Sequence, residues 1–174
     1  MGESNNDFNT YDYLKTVVQE DKMSLYMDGY ENLGWKLDEN MPPVKSMGKS
    51  TLYFKRSRQI INKVELTRLQ RHFESCMDEI IYLENSVQSV AAIVSISCGL
   101  SGCAFMAGSV FAVTALPPHV ILCAVLAAPG FLLWFLSWYG YRVAKAHRRK
   151  KVTPLIESKY DEIGEVLEKG HKLL

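Results

Sequence analysis

Residues Asn85–Tyr141 read NSVQSVAAIVSISCGLSGCAFMAGSVFAVTALPPHVILCAVLAAPGFLLWFLSWYGY, 57 positions without one Lys, Arg, Asp or Glu. One bilayer crossing takes about 20 apolar residues. A run this long is too long for a single crossing and suits two, joined by a tight turn. The reading places the first crossing at residues 87–116, the second at 120–141, and the turn at Pro117, Pro118 and His119. The expected class is an all-α membrane protein, a transmembrane helical hairpin with coiled-coil-like cytoplasmic extensions.

Charge is arranged around that run. The whole-chain net charge of +1 and mean hydropathy of −0.06 describe an ordinary soluble domain and conceal the division. Residues 1–44 hold nine acids and three bases, and residues 45–84 hold eight bases and five acids. Directly after the second crossing come Arg142, Lys145, Arg148, Arg149, Lys150 and Lys151, with no acid among them. Basic residues stay on the cytoplasmic side, so the C-terminal tail is expected inside, and two crossings return the N-terminal tail to the same side of the cell membrane. Trp138, Tyr139 and Tyr141 suit the interfacial aromatic belt, and the basic run suits anionic lipid headgroups. Met1–Tyr13 is polar and acidic and lacks the basic and apolar regions of a secretory signal.

Four regions follow. Residues 1–50 are expected to be an acidic cytoplasmic segment, with a short amphipathic helix over 10–28 and a linker marked by Pro42, Pro43 and Gly48. Leu14, Val17, Val18 and Leu25 would share one face of that helix. Tyr30–Trp35 reads as a docking patch or a small piece of core, and Thr51–Ile61 as strand or helix. Residues 51–86 form a helical stalk and 87–141 the hairpin. Residues 142–174 carry the basic run and a last amphipathic helix, with Thr153 as its N-cap and Pro154 at its first position. Asn62 with Glu65 is a capping-box pattern, predicting one long helix from Lys63 to about Ala115. Leu66, Leu69, Phe73, Cys76, Ile80 and Leu83 then alternate by three and four, a seam for a second copy, another protein, or the last helix. Within the crossings, Gly99, Cys103 and Ala107 recur every fourth residue, as do Ala104, Gly108 and Ala112. Cys123/Ala127 and Ala124/Ala128 repeat the spacing in the second. Small residues so placed let helix backbones approach in lipid.

Tests for chemistry return little. Gly48-Lys49-Ser50-Thr51 matches the end of a phosphate loop, but Pro43 stands where the first glycine belongs. His72 and Cys76 share a helix face and could ligate a metal. Two ligands are not a site, and packing explains the cysteine, so no metal site is expected. Three of the four cysteines lie at bilayer depth and suggest no disulfide framework. No Asp, Glu, Lys or Arg lies within the apolar run, and its one histidine, His119, is in the turn, which argues against a proton relay. The chain is therefore expected to be no enzyme, with no catalytic residue, cofactor, small-molecule substrate or nucleic-acid partner.

Glu65-Leu66-Thr67-Arg68-Leu69-Gln70-Arg71, Ala104-Phe105-Met106-Ala107-Gly108-Ser109, Lys159-Tyr160-Asp161-Glu162-Ile163 and Glu168-Lys169-Gly170 resemble the corresponding stretches of a family of small two-span bacterial membrane proteins of uncharacterised role. The resemblance covers roughly residues 50–174. It implies the architecture and carries over no catalytic or binding residue. The expected function is a non-enzymatic membrane-anchored scaffold or adaptor acting through its cytoplasmic helices. The alternative is a subunit of a small oligomeric channel or transporter, lined by Gly99, Ser101 and the break at Pro129.

Overall fold

The computed structural model describes residues 10–115 and 119–174, so Pro117 and Pro118 of the expected turn lie outside the described residues. The elements run β1 (Tyr11–Gln19), a 3-10 turn (Glu20–Lys22), α1 (Met23–Asn32), β2 (Lys36–Leu37), β3 (Val44–Ser46), β4 (Lys49–Ser57), α2 (Lys63–Thr114) and α3 (Val120–His171). They form two compact units. The first comprises the described residues up to Asp78 with Lys159–Leu174, and the second Glu79–Ser158.

The first unit carries a β-sheet, which corrects the all-α expectation. β4 is its centre, pairing antiparallel with β1 on one side and with β2 and β3 on the other. The stretch assigned to a short amphipathic helix begins with a nine-residue strand, and helix starts only at Met23. Alternation explains the strand: Tyr11, Tyr13, Lys15 and Val17 are exposed on one face, while Leu14, Thr16 and Val18 are more buried on the other. The assigned linker holds β3 and a two-residue hairpin turn. Met47 and Gly48 both take positive φ, +45° and +75°, and Ser46 pairs with Lys49 across them. Two such residues match the right-handed twist of the flanking strands. Of the two readings of Thr51–Ile61, strand holds as far as Ser57.

Above the sheet lies an aromatic core. Tyr30 packs on Phe54 of β4 (ring centroids 4.8 Å) and edge-on to Phe73 of α2 (5.8 Å). Tyr26 meets Phe73 from α1 as well. Gly29 makes that approach possible, since a methyl there would stand 2.4 Å from Phe73 Cζ. Gly170 of α3 does the same against Leu33, where a methyl would fall 2.7 Å from Cδ2.

In the second unit α2 and α3 run antiparallel as a hairpin. Both are long and apolar enough to cross a membrane, by length and composition. α2 starts at Lys63 and runs unbroken to Thr114, as the capping pattern predicts. α3 differs from expectation: no helix starts at Thr153-Pro154. One helix runs from Val120 to His171 with Pro129 and Pro154 inside it. Thr153 Oγ1 donates to Arg149 O (2.9 Å), back along the helix, instead of capping a new one.

Candidate functional site

Three surfaces were expected to act: the seam, the small-residue faces and the basic run. The seam is core. Leu66, Phe73 and Ile80 are wholly buried, Cys76 and Leu69 nearly so, and Leu83 is half-buried. In the first unit Tyr26 and Tyr30 of α1 pack on Phe73, on the face where a partner helix was expected. Tyr30–Trp35 belongs to the same core, with Tyr30, Leu33 and Trp35 all buried.

A polar chain threads this core. Tyr30 OH donates to Glu74 Oε1 (2.8 Å), as does Gln70 Nε2 (2.9 Å), and Trp35 Nε1 donates to Gln70 Oε1 (2.9 Å). Burial and then the Glu74 bond push the Tyr30 phenol well above its ordinary range, so it stays a donor. Arg56 lies 4.3 Å over the Trp35 ring, and its Nη2 donates to Thr67 Oγ1 (3.3 Å). Its Nε and Nη1 find no partner among the described residues, and burial lowers its pKa. The face of the aromatic ring offsets part of the cost of burying that cation. A cleft of about 1070 Å³ opens beside Trp35, bordered by Asp28, Glu31, Lys36, Lys55 and His171. Its lining mixes both charges.

The hairpin is held along a line that the four-residue spacing did not find. Ser95, Gly102 and Ser109 stand seven apart on α2, and Cys123, Gly130 and Ser137 seven apart on α3. They meet in pairs. Ser95 and Ser137 share a hydroxyl bond (2.9 Å), and Ser137 Oγ also donates to Ser95 O (2.8 Å). Ser109 Oγ donates to Cys123 O (2.9 Å) and lies 3.0 Å from its Sγ. Between these, a methyl added at Gly102 would come within 3.1 Å of Gly130 O and 2.7 Å of Trp134 Cδ1. Of the expected packing residues, Ala112 is buried on this line, and Gly99, Gly108 and Ala127 flank it half-buried. Cys103, Ala104, Ala107, Ala124 and Ala128 are exposed on the outer faces.

The basic run follows the aromatic end of the apolar segment. Arg142 lies 5.1 Å over the Trp138 ring and Lys145 5.8 Å over Tyr141, each one turn along the helix. Arg142, Arg149, Lys150 and Lys151 are exposed, while Arg148 is half-buried and bonds Ser86 Oγ through Nε and Nη2 (3.4 and 3.3 Å). Ser86 and Arg148 thus tie the two helices together near the aromatic end of the run.

Two sequence motifs also find their places. In Gly48-Lys49-Ser50-Thr51 the glycine is in the hairpin turn and the rest is strand, with Ser50 buried, so the stretch forms no loop around a phosphate. His72 and Cys76 do face the same way, and the fold brings Glu162 of α3 to them. One ligand atom from each of the three lies within 4.8 Å of the others. His72 Nε2 and Glu162 Oε1 are 2.7 Å apart, and Lys159 Nζ donates to Glu162 Oε2 (2.8 Å). Lys159 first, and His72 second, hold the Glu162 carboxyl below its usual range. Glu162 had no signal in the sequence, being 86 positions from Cys76. No protein family, curated protein or solved structure matches this chain.

Proposed function

We propose that the chain is a two-pass membrane protein, both tails on the cytoplasmic side of the cell membrane, that presents its α+β unit as a non-enzymatic scaffold or adaptor. One observation carries the membrane part. Of the most apolar window of each long helix, only 11 % in α2 and 6 % in α3 is buried by the rest of the chain. The core helix of a soluble protein buries such a window. Leaving a Leu, Ile or Phe side chain in water forgoes about 1.5–3 kcal/mol of transfer free energy. Ile121 (83 % exposed), Phe135 (77 %) and Phe111 (76 %) all face outward. Lipid is the solvent that suits them.

The aromatic residues that end the apolar run and the basic residues stacked on them support the interface and its side. Trp and Tyr favour headgroup depth, and each Lys or Arg near an anionic leaflet contributes about 1 kcal/mol. The adaptor role rests on the folded first unit, whose sheet and aromatic core make it more than a tail. Because the seam is filled from within the chain, a partner would meet the outer surface of this unit.

Topology is the test. In a chain lacking the native cysteines, His119→Cys should react with an impermeant thiol reagent from outside intact cells. Lys172→Cys should react only after permeabilisation. Labelling of both from outside, or of neither, would reject the hairpin orientation.

A further inference from the structure

We propose that His72, Cys76 and Glu162 form a binding site for a zinc-like divalent transition-metal ion. The site would clip α2 to the last turns of α3 within the first unit. The three side chains come from two helices and converge through one nitrogen, one sulfur and one oxygen, all within 4.8 Å of one another. Around a tetrahedral zinc, bond lengths of about 2.0–2.3 Å put ligand atoms about 3.3–3.7 Å apart. His72 Nε2 and Glu162 Oε1, now 2.7 Å apart, would open by roughly half an ångström to admit the ion. Small rotations of two partly exposed side chains supply that movement.

The donor set is chemically consistent. Imidazole, thiolate and carboxylate together suit a borderline-soft ion. Thiolate and carboxylate supply two negative charges against the ion's two positive ones. Lys159 completes the geometry rather than opposing it. It holds Glu162 Oε2, which leaves Oε1 turned toward His72, the outer-shell arrangement that orients a ligand. Cys76 is 2 % exposed, whereas the side chains of His72 and Glu162 are 49 % and 37 % exposed. The site therefore sits at the rim of the core, with sulfur inside and solvent on the far side to provide entry and a fourth ligand. Since Cys76 and Glu162 are 86 positions apart, the clip would close a long stretch of chain, where a constraint removes most freedom from the unfolded state.

The test uses the full chain in mild detergent, with Cys98, Cys103 and Cys123 replaced by Ala, after treatment with a chelator. Cobalt(II) is titrated in as the probe and then displaced by zinc(II). One equivalent should bind, giving the visible bands of tetrahedral cobalt and a thiolate-to-cobalt band that zinc abolishes. Loss of an outer-shell partner alone weakens metal sites by about 10–100-fold, so Glu162→Gln should weaken binding at least tenfold. That residue is half-exposed, so the variant tests the site without opening the core. Cys76→Ala should lose the thiolate band. At the same zinc concentration, zinc should raise the unfolding temperature of the parent more than that of Glu162→Gln. A folded parent without the thiolate–cobalt band, or equal affinity in Glu162→Gln, would overturn the proposal.

Discussion

The two units are held together by opposite materials. The first buries its large side chains: Tyr30, Phe54, Phe73, Leu33, Leu52, Leu66 and Met77 are all at or below 2 % exposure. The second turns its large side chains outward and brings its helices together on Ser95, Gly102, Ser109, Gly130 and Ser137. Water drives the first arrangement, because apolar area removed from it stabilises the fold. In lipid that force between helices is missing, and close packing with interhelical hydroxyl bonds takes its place. The contrast therefore carries information about solvent that whole-chain hydropathy does not, and it supports the membrane reading of the hairpin.

The largest effect should come from removing the centre of the aromatic core. Phe73 is wholly buried, edge-on to both Tyr26 and Tyr30 and directly under Gly29. Replacing a buried phenylalanine by alanine costs about 3–5 kcal/mol. Phe73→Ala is expected to expose residues 10–62 to limited proteolysis in detergent while leaving the chain in the membrane fraction. If membrane retention falls together with protease resistance, the two units do not depend on different forces.

A smaller effect should separate two of the three glycine positions of α2, Gly102 and Gly108. At Gly102 an added side chain meets the Gly130 carbonyl, which cannot step aside, and the Trp134 ring. At Gly108 it meets only Leu126 Cδ1 at 3.6 Å, an ordinary contact. Overpacking typically costs about 1–3 kcal/mol. Gly102→Leu should lower the thermal stability of the hairpin in detergent by an amount in that range, and Gly108→Leu by much less. Equal losses would mean that the four-residue faces, not the seven-residue line, hold the helices.

What could be read from the sequence follows the same division. An uncharged run of 57 residues has few alternatives to a helical hairpin, so two long apolar helices were legible from composition. Their contact line was not, because Gly, Ala, Ser and Cys are frequent enough in the run to satisfy several spacings at once. The four-residue rule selected Ala104 and Ala124, which face outward, and passed over Gly102 and Gly130. In the first unit the strand β1 was hidden by its own inward face. Asp12 and Thr16 interrupt the apolar alternation there, while Leu14, Val17, Val18 and Leu25 also satisfy a helical stripe. The β3–β4 hairpin was hidden because Met47-Gly48 is a less familiar turn pair than Asn-Gly, and nearby prolines suggested a linker. Of the possible metal cluster, His72 and Cys76 were visible by local spacing, but only the folded chain brings Glu162 to them.

The smallest expected effect separates the units by acid. Asp12 on β1 receives Lys63 Nζ (2.5 Å) and Arg58 Nε (2.6 Å), and the Lys63 bond, followed by that of Arg58, holds its carboxyl below the ordinary value. A carboxyl with a depressed folded pKa gives stability that is present above its unfolded value, about 3.9 for Asp, and is lost as pH falls through the folded value. Ion pairs this near the surface are worth only about 0.2–1 kcal/mol, so the loss is a modest slope rather than a collapse. The apolar run of the hairpin has no such group, since residues 85–141 contain no carboxylate side chain. Unfolding temperature followed below pH 4 should therefore decline for the first unit, stay flat for the apolar part of the hairpin, and decline less steeply in Asp12→Asn. An unchanged slope in that variant would remove Asp12 as a source of the acid sensitivity. An equal slope in both units would mean that they share a single unfolding step, and the division drawn from their packing would not describe how the chain comes apart.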